Sequence, residues 1–184
     1  MKRFLASLAA AVVMTAGLAV SAGEVTSGLD KGASVPPFYV YDVTGPQKGS
    51  ELCYRCRYGN QPVVSIFAKE MNDEVAALAK ELDGVVAKHR DERMAGFVVL
   101  MSDKPEAART TLADAAKKNK IEQLPLTTFD GTAGPDGYKI NPKADVTVMM
   151  WVEGKVTSSH AFNKGELTKD AISKVVKASD ALVK

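Results

Sequence analysis

The sequence has 184 residues, 46% of them hydrophobic, with 24 Lys and Arg against 22 Asp and Glu and only two cysteines. One domain with a proper core fits that length, and two cysteines exclude a disulfide-stapled miniprotein. The near-neutral balance offers no electrostatic footprint for nucleic acid or for an anionic membrane surface.

Residues 1–22 begin with Lys2 and Arg3, continue through an apolar stretch over 5–20 and end in Val20-Ser21-Ala22. This is the pattern of a secretory signal peptide cleaved after Ala22. A membrane anchor is the other reading, but the short apolar run and the small residues before Gly23 favour cleavage. Loss of Lys2 and Arg3 would bring the cations level with the 22 anions. No later stretch is long and apolar enough to cross a bilayer. The mature protein is therefore expected to be periplasmic or secreted, where disulfides persist.

Residues 23–37, rich in Gly, Ser and Thr, read as a flexible leader to one domain over 38–184. Phe38-Tyr39-Val40-Tyr41-Asp42-Val43 reads as a strand, followed by turn residues Gly45, Pro46 and Gly49. Residues 51–58 can return as the second arm of a hairpin, which Gly59-Asn60-Gln61-Pro62 breaks. Val63–Ala68 is an apolar, β-branched run suited to a buried strand. The helix after it, capped by Asn72 or Asp73 and reaching about His89, puts Val75, Leu78, Leu82, Val85 and Val86 on one face. Residues 95–101 form the next strand, without alternation, as expected where both faces are covered. Asp103 and Glu106 have capping-box spacing around Pro105, predicting a helix to about Lys118. A short strand over 124–129 and a loop over 130–143 follow, with Tyr138 and Ile140 as packing anchors. A second hairpin spans 146–162 around Glu153-Gly154. Asn163 and Glu166 open a last helix that turns Leu167, Ala171, Val175, Ala178 and Leu182 inward. The order hairpin, β, α, β, α, β, hairpin, α describes an α/β domain, a central sheet with helices on its faces.

Chemistry concentrates in Cys53-Tyr54-Arg55-Cys56, which lies before the buried strand rather than after it. In an extended strand residues three apart lie about 10 Å between Cα atoms, whereas a disulfide needs them within about 7 Å. The pair can bond only if Tyr54-Arg55 turns tightly. Arg55 and Arg57 are cations close enough in sequence to stabilise a thiolate. A redox pair would use one cysteine to attack and the other to resolve the mixed disulfide. A local structural staple is the competing reading. A third is a soft-metal site, with His89, His160 or a methionine completing the two thiolates. His89 at a helix end and His160 as a strand surface residue have simpler explanations, however. Arg57 stands where a c-type haem site would need histidine. Met149 and Met150 point to opposite sheet faces as core filler. Glu70, Asp73 and Glu74 suit a helix start, and residues 131–137 lack the context of a phosphate cradle.

Phe38 to Gly45 resembles the opening strand of the peroxiredoxin and periplasmic thiol–disulfide oxidoreductase branch of the thioredoxin superfamily. Val63–Ala68 is similar to the strand leading into that family's active site. Val146-Thr147-Val148-Met149-Met150-Trp151-Val152-Glu153-Gly154-Lys155-Val156 resembles its late hairpin. The resemblance implies a thioredoxin-like fold, a mixed sheet with helices on both faces and an added N-terminal β-hairpin. It implies no cofactor, and protein thiols or disulfides as partners. It also places Met71 and Glu74 where the family has its two cysteines, and Val146 where it has a cis-proline. A dithiol mechanism at that helix start is therefore not expected. Cys53 and Cys56 remain as the candidate catalytic pair.

Overall fold

The structure, a computed structural model, describes residues 25–183, so the signal segment and its cleavage point after Ala22 lie outside the described residues. Its centre is β3 (Val63–Ala68), buried at every position. β3 runs parallel to β4 (Ala95–Ser102) and antiparallel to β6 (Val146–Val152). Around them β1 (Val40–Asp42), β2 (Glu51–Leu52), β5 (Leu126–Asp130) and β7 (Lys155–Phe162) complete a seven-stranded mixed sheet of order β2-β1-β5-β4-β3-β6-β7.

Strand alternation sorts the apolar residues into two cores. On one face Val64, Ile66, Val98, Leu100, Val148 and Met150 meet three helices. These are α2 (Asp73–Lys88), α3 (Pro105–Asn119) and α4 (Lys169–Asp180). On the other face Val63, Phe67, Phe97, Val99, Met149 and Trp151 meet Phe38, Tyr54 and Tyr138. Among the described residues the only helix there is α1 (Tyr54–Tyr58), five residues long. Helices thus lie on both faces, three against one, and Met149 and Met150 fill opposite cores as their alternation requires.

Four local expectations are corrected. First, the return arm over 51–58 is strand only at Glu51–Leu52, where it pairs with Tyr41 and Val40. Cys53 then caps α1, because burying the Tyr54 ring against Phe97 turns the chain off the sheet edge. Second, residues 25–37, expected as a flexible leader, lie packed along β7 and the aromatic core. Leu29 and Val35 are buried, Gly32 N–H donates to Val156 O, Val156 N–H to Ala33 O, and the Ser27 and Thr147 hydroxyls share a 2.7 Å hydrogen bond. Scattered apolar residues, too few to show a period, do the anchoring. Third, Asp103 does not cap α3; Lys104 holds that position without a side-chain bond. Fourth, Asn163 and Glu166 bond to each other in a separate turn. Thr168 caps α4, one residue after Leu167 has reached the core. Asn72 caps α2 through its side chain, as its position suggests.

Candidate functional site around the Cys53–Cys56 disulfide

Cys53 and Cys56 are bonded, with Cα atoms 5.2 Å apart. The chain takes the tight-turn branch, and the turn is helical. The motif follows a short strand, β2, and opens a helix, so the helix-start context that its position in the sequence seemed to deny is present in miniature. Cys53 is the N-cap, and its sulfur accepts a 3.0 Å hydrogen bond from Cys56 N–H. Gly59 ends the helix at φ 56°, a left-handed conformation that glycine adopts at no steric cost.

The two sulfurs have unequal surroundings. Cys53 is buried, at 7% of its free exposure, whereas Cys56 is exposed. Beside Cys53, Tyr54 is wholly enclosed, its ring stacked on Phe97 at 5.2 Å and next to Tyr58 at the same distance. The Tyr54 hydroxyl donates to Asp42 Oδ2 at 2.9 Å. Asp42, also fully buried, accepts Gly45 N–H at 2.7 Å and Gln47 N–H at 2.8 Å. A Cβ on Gly45 would run into that tyrosine hydroxyl. Burial, followed by the nearby Asp42 charge, pushes the Tyr54 hydroxyl far above the usual phenol range. Burial does the same to Tyr58, whose hydroxyl donates to Gly96 O at 3.2 Å. Asp42 was missed at the sequence level, although an aspartate three residues before a glycine is a turn signal.

Arg55 does not extend over the sulfurs. Its guanidinium donates to Val35 O and Gly59 O, each at 3.1 Å, and lies against the β6–β7 turn, where a Cβ on Gly154 would strike it. It ties α1 to the packed leader and to the hairpin. Arg57 is exposed next to Cys56 and lines a cleft of about 480 Å³ with Asn60, Gln61, Glu92 and Arg93.

Met71 and Glu74 stand at the start of α2, where Ala68 pairs with Val146. Met71 packs against the helical core, Glu74 is exposed, and no described peptide bond is cis. A groove of about 770 Å³ opens there, lined by Lys69, Glu74, Val146, Leu167 and Ile172 among others. The cysteine pair lies elsewhere. Tyr58 on Gly96 and Asn60 on Glu153 fix α1 near the end where β3 begins, and the Met71 corner follows the end where β3 stops. The six residues of β3 span about 17 Å.

His89 is engaged by Asp180, Nε2 to Oδ1 at 2.8 Å. His160, expected on the surface, is half-buried on β7 beside residues 25–31, and burial lowers its pKa. Among the described residues no group of three or more His, Cys, Asp or Glu side chains is arranged to hold a metal ion. None of the described helices is long and apolar enough to cross a membrane.

These features describe a thioredoxin-like fold that carries a disulfide-bonded Cys-x-x-C. Comparison with solved structures bears out the fold. A DsbF homologue from Corynebacterium diphtheriae matches with TM-score 0.61 at 14% identity, over 86% of this chain and 95% of its own. Peroxidoxin BcpB from Mycobacterium tuberculosis matches at 0.59 and 17%, over 84% and 97%. A secreted disulfide oxidoreductase from Mycobacterium tuberculosis, homologous to E. coli DsbE, matches at 0.54 and 13%, over 77% and 95%. No protein-family model and no curated protein sequence matches the chain.

Proposed function

We propose that this is an exported thioredoxin-fold protein that exchanges thiols and disulfides through Cys53 and Cys56, with protein thiols or disulfides as its substrates. The observation that carries the reading is a disulfide at a helix start with one of its two cysteines exposed. The bond spans a sequence separation of only three. A loop that short removes little entropy from the unfolded chain, about 2 kcal/mol in the loop-closure picture. The bond thus contributes little to folding and can open without unfolding the domain. Arg57, next in sequence to Cys56, is the cation assigned in this reading to favour a thiolate there, while Arg55 ties the helix to Val35 O and Gly59 O. Signal cleavage after Ala22 and a periplasmic or secreted destination accompany this reading.

The reduction potential of the pair, measured by mass-tagging thiols across a glutathione or dithiothreitol series, tests it. A value above about −200 mV is expected for an exchange-competent couple, and one below about −300 mV would make the bond structural. The burial of Cys53 favours that second reading, a non-catalytic binding or scaffold module with a stapled loop. Thiols that stay free under oxidising conditions would contradict both and bring soft-metal binding forward.

A further inference from the structure

We infer that the pair has a fixed polarity: Cys56 is the sulfur that an incoming thiolate attacks, and Cys53 is the leaving and resolving sulfur. This rests on the exchange reading above and assigns the two roles within it.

Three observations converge. Cys56 is an exposed residue, whereas Cys53 is buried at 7%, so a protein-borne thiolate approaches the pair from the Cys56 side. The Cys53 sulfur already accepts Cys56 N–H at 3.0 Å. A hydrogen bond to the departing sulfur favours its thiolate and makes it the better leaving group. The backbone around Cys53 is also fixed. Tyr54 is clamped between Phe97 and Asp42, and Arg55 is bonded to Val35 O and Gly59 O, so Cys53 is held inside while Cys56 lies outside.

The step balances as an interchange. A thiolate R–S⁻ attacks the Cys56 sulfur, an R–S–S–Cys56 bond forms, the Cys53–Cys56 bond breaks, and its electron pair leaves on the Cys53 sulfur as a thiolate. If R carries a second thiol, that thiol, once deprotonated, displaces the Cys56 sulfur. The substrate leaves as a disulfide and the protein as a dithiol, two electrons having passed from one to the other. In the reverse direction Cys56 is the attacking thiolate on a substrate disulfide and Cys53 resolves the adduct.

The sequence makes the test direct, because trypsin cuts after Lys48, Arg55 and Arg57 and so separates Cys53 in peptide 49–55 from Cys56 in dipeptide 56–57. Oxidised protein is mixed with glutathione, quenched at short times with a maleimide, digested and weighed. Glutathione on 56–57 with maleimide on 49–55 is the expected result; the opposite placement, or an even mixture, overturns the polarity. If glutathione never opens the bond, the exchange reading fails, and the polarity is judged separately with Cys53→Ser and Cys56→Ser. Both are alkylated with iodoacetamide above the ordinary thiol pKa of about 8.5, each rate divided by its rate in denaturant. Cys56 in the first variant is expected to react at least about tenfold faster than Cys53 in the second, as exposure governs access. Equal ratios overturn the assignment.

Discussion

Asp42 and Tyr54 form the buried polar pair on which α1 rests. A carboxylate at zero exposure survives only if hydrogen bonds replace the water it lost, and two backbone N–H groups and the Tyr54 hydroxyl do so. Hydrogen bonds to a charged group contribute more than neutral ones, about 1.5–3 kcal/mol each. Tyr54→Phe keeps the ring stacked on Phe97 and removes only the hydroxyl. Urea denaturation is expected to show a loss of about 2 kcal/mol with an unchanged slope. A loss below about 0.5 kcal/mol would mean that water replaces the hydroxyl and that Asp42 is not sealed.

At the scale of elements, the disulfide closes a loop as short as the tightest turn of the sheet, Val152 to Lys155, and its contribution follows from that size. About 2 kcal/mol of loop entropy corresponds to a fall in Tm of roughly 4–8 °C on reduction for a domain of this length. Calorimetry with and without dithiothreitol would show it. A fall of about 20 °C would identify the bond as a structural staple instead. The same size explains what could be read beforehand. β3, α2, β4 and the β6–β7 hairpin each carry a long pattern, and all were legible as elements. α1 has five residues, too few for a period, and its helicity comes from a Cys53 cap, a Tyr54 ring needing burial and an Arg55 anchored at Val35. Only the cap is local; the ring and the guanidinium find their partners elsewhere in the chain. The cysteine pair was therefore visible as a motif, but its helical setting and the unequal burial of its sulfurs were not. Residues 25–37 escaped for a related reason: Leu29 and Val35 are isolated apolar residues whose backbone N–H groups find their acceptors, Met149 Sδ and Gly154 O, more than a hundred positions away.

For the whole molecule, the two cores give the two pH limbs of stability different owners. On the aromatic face Tyr54, Tyr58 and Tyr138 are all held above the usual phenol range, chiefly by burial. The unfolded chain releases these protons near the ordinary value of 10.0 and the folded one does not. Their contribution is thus complete below that pH and is lost as pH rises past it. On the helical face Asp180, hydrogen-bonded by Lys88 and then by His89, is held well below the usual carboxylate range. Its contribution is present above the ordinary value of 3.8 and disappears as pH falls through and below it. Asp180→Asn is expected to flatten the acid limb of a stability–pH curve and leave the alkaline limb untouched, as chemical denaturation across pH would report. An unchanged acid limb would remove Asp180 from the account. A last consequence comes from the length of β3. The corner at Met71, Glu74 and Val146 and the proposed pair at Cys53 and Cys56 lie toward opposite ends of one strand, whose six residues span about 17 Å. Sulfurs exchange only on contact, so the frame has two insulated terminals. Cysteines installed at 71 and 74 would form a second electrode on the same domain, and the two could equilibrate only through thiols carried between them by solution.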